Sequence, residues 1–498
     1  MAKERDENYS HVLKYTGIFG GVQGLNIVIS LVRNKLVALL LGPQGMGLVS
    51  LFNTTANFIS QATNLGIPFS AVKHVSTFFE EGDERCIAHF VGVVRVWSLI
   101  TALIGMALCV MLGPLLSSYT FSWGDHTLHF ILLAPAVGLM AITGGETAIL
   151  KGARQLRSLA LIQIYAVFAA LVITVPVYYF FGQAGIVPVI VLLALVSMLL
   201  TVHYSLRLYP LRLSWSKTVL GEGMDMVRLG IAFVLAGVMG SGAEMLIRSF
   251  LNVSGDLDVV GLYNAGFVLT ITYAGMVFSA METDYFPRLS SICNDARQLN
   301  QTVNRQIEVS LLIMSPMLAM LIIGLPVLLP LLYSNEFLPV IAMAQVAVFS
   351  MYVKSVSLPI SYITLAKGDS VAYMCLEACY DVTLVVLIVM GYSYWGLYGT
   401  GVALSVSYLI DFLVVGGYAY YRYRYRLSRQ VVAYAAVQFA LGLAVYVVSQ
   451  LASPTVYWTV SPLLCLVSLL ISVYILHQKT SLWSALMNKL KARFCRHA

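Results

Sequence analysis

Fourteen apolar stretches, each long enough to cross a bilayer, fill most of this chain and decide what it can fold into. They run at approximately 17–41, 46–72, 90–113, 127–150, 158–181, 184–206, 228–252, 259–283, 307–333, 337–365, 371–391, 396–421, 431–451 and 456–477. A helix needs about 20 mostly apolar residues to cross the hydrocarbon. Backbone at that depth has no water to bond, so continuous runs of this length satisfy their own N–H and C=O groups as helices. Of the 498 residues 59% are hydrophobic and 11% charged. Soluble domains carry about 25% charged residues, so a water-soluble globule, a disordered chain and a disulfide scaffold are excluded. The expected fold is an all-α polytopic membrane protein of about 14 transmembrane helices.

Loop charges set the expected topology. With the N-terminus in the cytoplasm, the outer connections read GPQG (42–45), PLLSSYTFSWGDH (114–126), GQ, VSGDLD, SNE, YSYW and ASPT, and none holds a Lys or Arg. Of the 30 basic residues, 25 then fall in inner segments, with Arg33, Lys35, Arg95, Arg248 and Lys354 inside helices. This is the positive-inside distribution, and it places both termini in the cytoplasm. MAKERDENYS lacks a small-residue cleavage signal before the first full-length span, so it is expected to be mature chain. The seven cysteines avoid the outer loops, so no disulfide framework is implied. YRYRYRLSR at 421–429 interleaves aromatics and arginines, but between two spans it suits an interfacial anchor better than a nucleic-acid patch.

An internal repeat runs through the chain. GLVSLFN at 47–53 resembles GLYNAGF at 261–267, FSAV at 69–72 resembles FSAM at 278–281, ILKGARQ at 149–155 resembles LAKGDSV at 365–371, and GIVP at 185–188 resembles GLYG at 396–399. The offsets lie between 209 and 216. The expected organisation is a six-helix lobe at 1–206, a basic cytoplasmic linker at 207–227, a second six-helix lobe at 228–421, and two extra helices with a basic tail at 422–498. Six is even, so both lobes enter the membrane with the same orientation. Parallel repeats of this kind place a substrate path at their interface.

A first helix ending GPQGMGLVSL, the turn KGARQLRSLAL, and DVVGLYNAGF followed by FPRLS at 286–290 resemble the polysaccharide exporters of the multidrug/oligosaccharidyl-lipid/polysaccharide superfamily. The resemblance spans residues 15 to 421 and is closest to Wzx-type flippases for O-antigen or enterobacterial-common-antigen units. It implies transport of an undecaprenyl-diphosphate-linked oligosaccharide from the cytoplasmic to the periplasmic leaflet of a bacterial inner membrane, in lipopolysaccharide or other surface polysaccharide biosynthesis. Membrane lipids, a coupling H+ or Na+ and glycan polymerase or assembly proteins are the partners it implies. No cofactor and no nucleic acid are expected. Many such flippases have twelve helices, so the two C-terminal helices are a departure.

Charges at bilayer depth are costly and mark candidate sites. Arg33 and Lys35 fall in the outer third of the first segment and Arg248 near the outer end of the seventh. The 215 residues between Arg33 and Arg248 match the repeat, so the two are expected to face a common diphosphate, which guanidinium groups bind bidentately. The alternative is that these cations snorkel outward, or that Glu244, one turn before Arg248, neutralises it. Lys354 lies mid-helix and is grouped with them as substrate-binding, with Glu377 and Asp381, or Asp411, as partners. Glu377 and Asp381 are the expected ion-coupling pair, a structural role being the alternative. Arg95 is expected to snorkel inward. Cys375 and Cys379 lack a completing ligand set for a metal, and His126 with His129 reads as surface histidines.

No GxSxG, Walker loop or HExxH occurs. The longest outer loop offers only Asp125 and His126 as chemical groups, which argues against an integral glycan polymerase. A cation-coupled multidrug exporter or a peptidoglycan-precursor flippase of the same superfamily remains the alternative within the transporter class. Topology is directly testable. In a cysteine-free background, cysteines at Ser118, Ser254 and Ser334 should react with an impermeant thiol reagent from the periplasmic side, and those at Arg154, Ser290 and Ser428 should not. Labelling of 254 and 428 from one side would overturn the fourteen-helix count.

Overall fold

The computed structural model describes residues 2–120, 125–211, 216–292, 295–451 and 453–479, the first 22 of these by backbone alone. Among the described residues every regular element is helical. In chain order the α-helices are α1 (Ala2–Thr63), α2 (Ile67–Glu81), α3 (Glu84–Thr120), α4 (Thr127–Gly152), α5 (Leu156–Phe181), α6 (Ile186–Leu208), α7 (Lys217–Ser254), α8 (Leu257–Phe267), α9 (Tyr273–Ser291), α10 (Ala296–Leu332), α11 (Val340–Ala366), α12 (Ser370–Tyr423), α13 (Arg429–Leu451) and α14 (Pro454–Lys479). A π-helical turn, Val268–Thr272, joins α8 to α9.

Eleven continuous helical stretches are long and apolar enough to span a membrane among the described residues. Three of them, Gly24–Thr63, Leu156–Leu208 and Ser370–Tyr423, each contain two of the expected segments, which accounts for all fourteen. The breaks fall at glycine. Gly42 (φ 64, ψ −173) precedes Pro43, whose missing N–H suits the first turn of a restarted helix. Gly182 (φ 54) opens the turn Gly182–Gly185, and Gly396 (φ 57, ψ −144) reverses α12. That reversal is a tight hairpin. Cβ atoms built on Gly391 and Gly399 would stand 2.4 and 1.8 Å from each other's carbonyl oxygens, so only glycine fits. At the hairpin's open end the hydroxyls of Tyr423 and Tyr418 donate to Asp369 Oδ2 at 3.0 and 3.3 Å. Those bonds, Tyr423's first, with the Ala372 N–H the carboxylate caps, hold Asp369 below the usual carboxylate range.

One expected boundary moves. The stretch 46–72 stops at Thr63, because Asn64 Oδ1 accepts from Gly66 N (2.9 Å) and Gly66 takes a left-handed φ of 73 ahead of Pro68. The following α2, at 15 residues, is about 22 Å long and too short to span. Ile67, Ala71 and Val75 bury its apolar face in a cluster with Phe90, Val94 and Ile149.

The repeat is visible in the backbone at one register. Ala153, Arg154 and Gln155 donate to Ile149, Lys151 and Leu150 at 2.9, 3.0 and 2.9 Å, and Lys367, Gly368 and Asp369 donate to Ile363, Leu365 and Thr364 at 3.0, 3.0 and 2.9 Å. Arg154 and Gly368 both adopt positive φ, as the residue after a helix does in a Schellman turn, and Gly182 and Gly396 share another positive-φ conformation. Each pair is separated by 214 residues, the separation that also links Ser50 and Asn264 through a hydrogen bond. The KG dipeptides at 151 and 367 are therefore two residues out of structural register, and Gly396 corresponds to Gly182 and not to Gly185. Backbone geometry, not side-chain identity, is what repeats.

Clustering of the chain gives two compact units, one of Met1–Ala265, Leu329–Leu338 and Glu377–Val389, the other of Gly266–Leu328, Pro339–Leu376 and Met390–Ala498. Within the first unit, the start of α8 crosses the second half of α1 as a self-complementary contact. A Cβ on Gly47 would lie 2.2 Å from Leu257 O, and one on Gly261 would lie 1.9 Å from Pro43 O. Pro43 stands to Gly47 as Leu257 stands to Gly261, so each repeat makes the same contact on the other, as a two-fold relation requires. Gly261→Val should force this crossing apart at a cost of at least about 1–3 kcal/mol. A cysteine replacing the buried Ala265 should then become reactive to a thiol reagent, while staying unreactive when Gly261 is intact.

Candidate functional site

Arg248, on α7, is 4% exposed and sits against this crossing. Its Nε donates to Ser50 Oγ at 2.8 Å, and Nη2 donates to Asn264 Oδ1 at 3.4 Å. Ser50 Oγ also donates to that same oxygen, at 3.0 Å. Because Ser50 and Asn264 are repeat-equivalent, a single guanidinium ties corresponding positions of both halves together. Nη1 donates to the Glu244 carbonyl and to Glu244 Oε2, both at 3.2 Å, and the guanidinium carbon lies 5.9 Å from the Tyr263 ring centre. The ion pair is lopsided. The Arg248 side chain is 5% exposed, while that of Glu244 is 47% exposed. Breaking the pair strands a buried cation on one side only, since the carboxylate is already half exposed at the protein surface.

A second carboxylate joins along the same face of α7. Gly240 lies one turn before Glu244, and a Cβ there would be 3.7 Å from Asp381 Oδ2. Asp381 is 8% exposed and interacts electrostatically with both Glu377 and Glu244. Asp381 thus lies within electrostatic reach of two further carboxylates, one of them Arg248's partner Glu244, at a depth where unbalanced charge is costly. Among the described residues, no group of three His, Cys, Asp or Glu is arranged to hold a metal ion.

The other expected site residues lie elsewhere. Arg33 is half-buried, with its charge felt at the buried Tyr178 of α5. Carried back without a gap, the register of 214 pairs Arg248 with Asn34 and Arg33 with Ile247. The separation of 215 was thus one residue out, about 100° around a helix. Lys35 Nζ donates to the carbonyls of Pro330 and Tyr333, capping the last turn of α10 as a cation at a helix C-terminus should. Lys354, on α11, lies 3.5 Å from Tyr408 Oη with its ammonium 5.5 Å from that ring's centre. Lys354 falls in the second compact unit, whereas Glu377 and Asp381 fall in the first, with Arg248. The His126 and His129 rings lie tilted to each other with centres 5.2 Å apart, and His129 stacks on Phe52 at 5.8 Å.

Arg95 does not snorkel. It is 4% exposed, and its Nε and Nη2 meet Glu146 Oε1 and Oε2 at 2.8 and 3.4 Å. The remaining donors reach Pro210 O and Tyr209 O, each at 3.0 Å, and Ser205 Oγ at 3.3 Å. Glu146 escaped the sequence reading, although a signal exists. In the α3–α4 hairpin Cys109 meets Phe130, Gly105 faces Val137 and Gly145 faces Ser98. That pairing carries Arg95 directly to Glu146. Glu146→Ala should cost about 3–5 kcal/mol by stranding a buried cation. Arg95→Met with Glu146→Leu should recover most of it, as read by thermal unfolding in detergent.

The family model of the polysaccharide biosynthesis proteins matches residues 36–342. No curated protein matches the chain at a significant level. Among solved structures, an inward-facing multidrug resistance MATE family transporter of the MOP superfamily is similar over 80% of this chain and 94% of its own, with 16% identity and a TM-score of 0.68. The lipid II flippase MurJ, in an inward closed conformation, is similar over 93% of this chain and 99% of its own, with 12% identity and a TM-score of 0.64. A MOP superfamily transporter from Pyrococcus furiosus is similar over 82% of this chain and 94% of its own, with 14% identity and a TM-score of 0.60. At these identities the likeness is one of fold. The MurJ match is too long to be supplied by residues 1–421 alone, so it takes in part of the two C-terminal helices.

Proposed function

The chain belongs to the polysaccharide biosynthesis protein family, and we propose that within it the protein is a flippase for an undecaprenyl-diphosphate-linked oligosaccharide, such as an O-antigen unit. It carries its cargo from the cytoplasmic to the periplasmic leaflet of the inner membrane by alternating access, with both termini in the cytoplasm. One observation carries this reading: a buried Arg248 at the contact between the two repeats, paired to a carboxylate that is itself half exposed. An incoming diphosphate can exchange with Glu244 on the guanidinium, which prefers the bidentate geometry of phosphate. Releasing Glu244 and drawing on Arg248 would loosen the Ser50 and Asn264 bonds that join the repeats. Cargo binding and opening of that contact are thereby linked. Arg33, Lys35 and Lys354 are proposed as further cations along the path, and glycan assembly proteins as partners.

Coupling falls to the carboxylates. With Glu244 displaced, Asp381 and Glu377 lose the influence of a third charge, and a proton or Na+ held there would respond to the exchange. A second reading draws on this same cluster: three carboxylates at bilayer depth suit a cationic drug carried by a cation-coupled exporter. Transport assays normalised to protein level separate the two. Arg248→Lys should retain part of glycan export, Arg248→Ala should abolish it, and Arg248→Glu should be worst. Amidating Glu377 and Asp381 together should leave an inserted protein whose transport no longer depends on H+ or Na+. Full glycan export by Glu244→Gln with Arg248→Gln would sink the anion-exchange site, because both charges are then gone.

A further inference from the structure

The second half of α1 carries a row of carboxamides that the Arg248 cluster does not use. Between positions 45 and 63 the exposed residues are Asn53, Asn57, Gln61 and Ala62, and every other residue there is at least partly covered. Asn53, Asn57 and Gln61 recur every four residues, so they fall within about 80° of one another and run about 12 Å along one face of the helix. An exposed face turned to hydrocarbon carries aliphatic and aromatic side chains, as α3 does at Leu103 and Met111 and α5 at Phe168 and Val172. A carboxamide left in hydrocarbon without a partner is costly, and three in a row more so. The row therefore faces water.

Contacts with α7 fix where the row lies. Ser50 meets Arg248, a Cβ on Gly242 would stand 3.2 Å from the Phe58 ring, and one on Gly237 would stand 3.6 Å from Gln61 Oε1. The two helices thus run antiparallel, and the row starts one turn from Ser50, beside the helix that bears Glu244 and Arg248. At its far end Asn64 Nδ2 donates to Gln61 Oε1 at 2.7 Å, which holds that amide and leaves its Nε2 protons for a ligand. At the register of 214, Asn53, Asn57 and Gln61 correspond to Phe267, Ile271 and Gly275. The second repeat folds without such a row, so the shared fold does not require it.

We infer that Asn53, Asn57 and Gln61 read the sugars of the cargo, and that those sugars are uncharged. The inference rests on Arg248 as the diphosphate site: the sugar next to the diphosphate meets Asn53, and the following ones meet Asn57 and Gln61. Carboxamides donate and accept at once, as sugar hydroxyls and acetamido groups require of a partner. An acidic sugar would find no cation along the row, and a cationic drug no carboxylate. Specificity for the glycan is therefore carried by the first repeat alone.

The test uses full-length protein in nanodiscs. In a cysteine-free background, Asn53→Cys, Asn57→Cys and Gln61→Cys should react with a charged thiol reagent, and Val172→Cys should not. A neutral N-acetylhexosamine trisaccharide should slow labelling of Asn57→Cys and Gln61→Cys severalfold. Binding is then measured for undecaprenyl diphosphate, bare and carrying the same trisaccharide. Asn57→Ala and Gln61→Ala should each weaken the glycosylated lipid roughly fivefold, the loss of one hydrogen bond, and leave the bare lipid unchanged. Arg248→Ala should weaken both. Three unreactive cysteines would overturn the inference, because the row would then face lipid. So would labelling that the trisaccharide does not slow, or an unchanged ratio of the two affinities in the alanine variants. Full binding of both lipids by Arg248→Ala would instead sink the diphosphate site, and protection by the free trisaccharide would still decide the row.

Discussion

The structure depends on how closely two backbones approach where α8 crosses the second half of α1. In hydrocarbon, apolar burial gives helices little reason to associate, so packing and interhelical hydrogen bonds must do so. Gly47 and Gly261 remove the side chains that would hold the helices apart, and carbonyl oxygens of each helix then occupy the space a Cβ would need. That proximity is what lets Ser50 and Asn264 bond directly, and what presents both to Arg248. A bulky residue at either glycine would remove the geometry on which the polar cluster rests.

Two buried arginines show how exposure divides structure from function. Arg95 and Glu146 are both sealed from solvent, at 4% and 6% of their side-chain surfaces, and three further acceptors complete the guanidinium's bonds. Such a pair is costly to break and has nowhere to go, which suits a fixed hairpin. Arg248 has comparable burial, but its partner Glu244 is half exposed, and the proposed exchange of anions draws on that difference. The same chemistry is sealed in one place and half exposed in the other.

The two repeats diverged in side chains while keeping their turns. Arg154 holds a left-handed conformation that Gly368 adopts in the other half, an expense of about 1–2 kcal/mol for a residue with a Cβ. The hydrogen bonds around both are nonetheless the same. Alignment by identical letters therefore slid to the nearest Lys-Gly pair, since short matches in an apolar chain carry little information about register. The one-residue offset in pairing Arg33 with Arg248 has the same origin, and a slip of one residue rotates a helical position by about 100°.

Much of the fold was legible in the sequence, because the bilayer imposes it locally. Hydrogen-bond satisfaction turns each apolar run into a helix wherever it packs, and Gly42, Gly182 and Gly396 mark their own breaks. Arg248, Glu244 and Asp381 stood out singly as charges in apolar runs. What brought them together, and gave Lys35 a helix end to cap, was decided only by tertiary structure. Lys35 caps α10 and Arg95 meets Glu146 through contacts between residues 298 and 51 positions apart. Hydropathy depends on a residue and its immediate neighbours, whereas the partner of a buried charge depends on which helix faces which, and at what rotation.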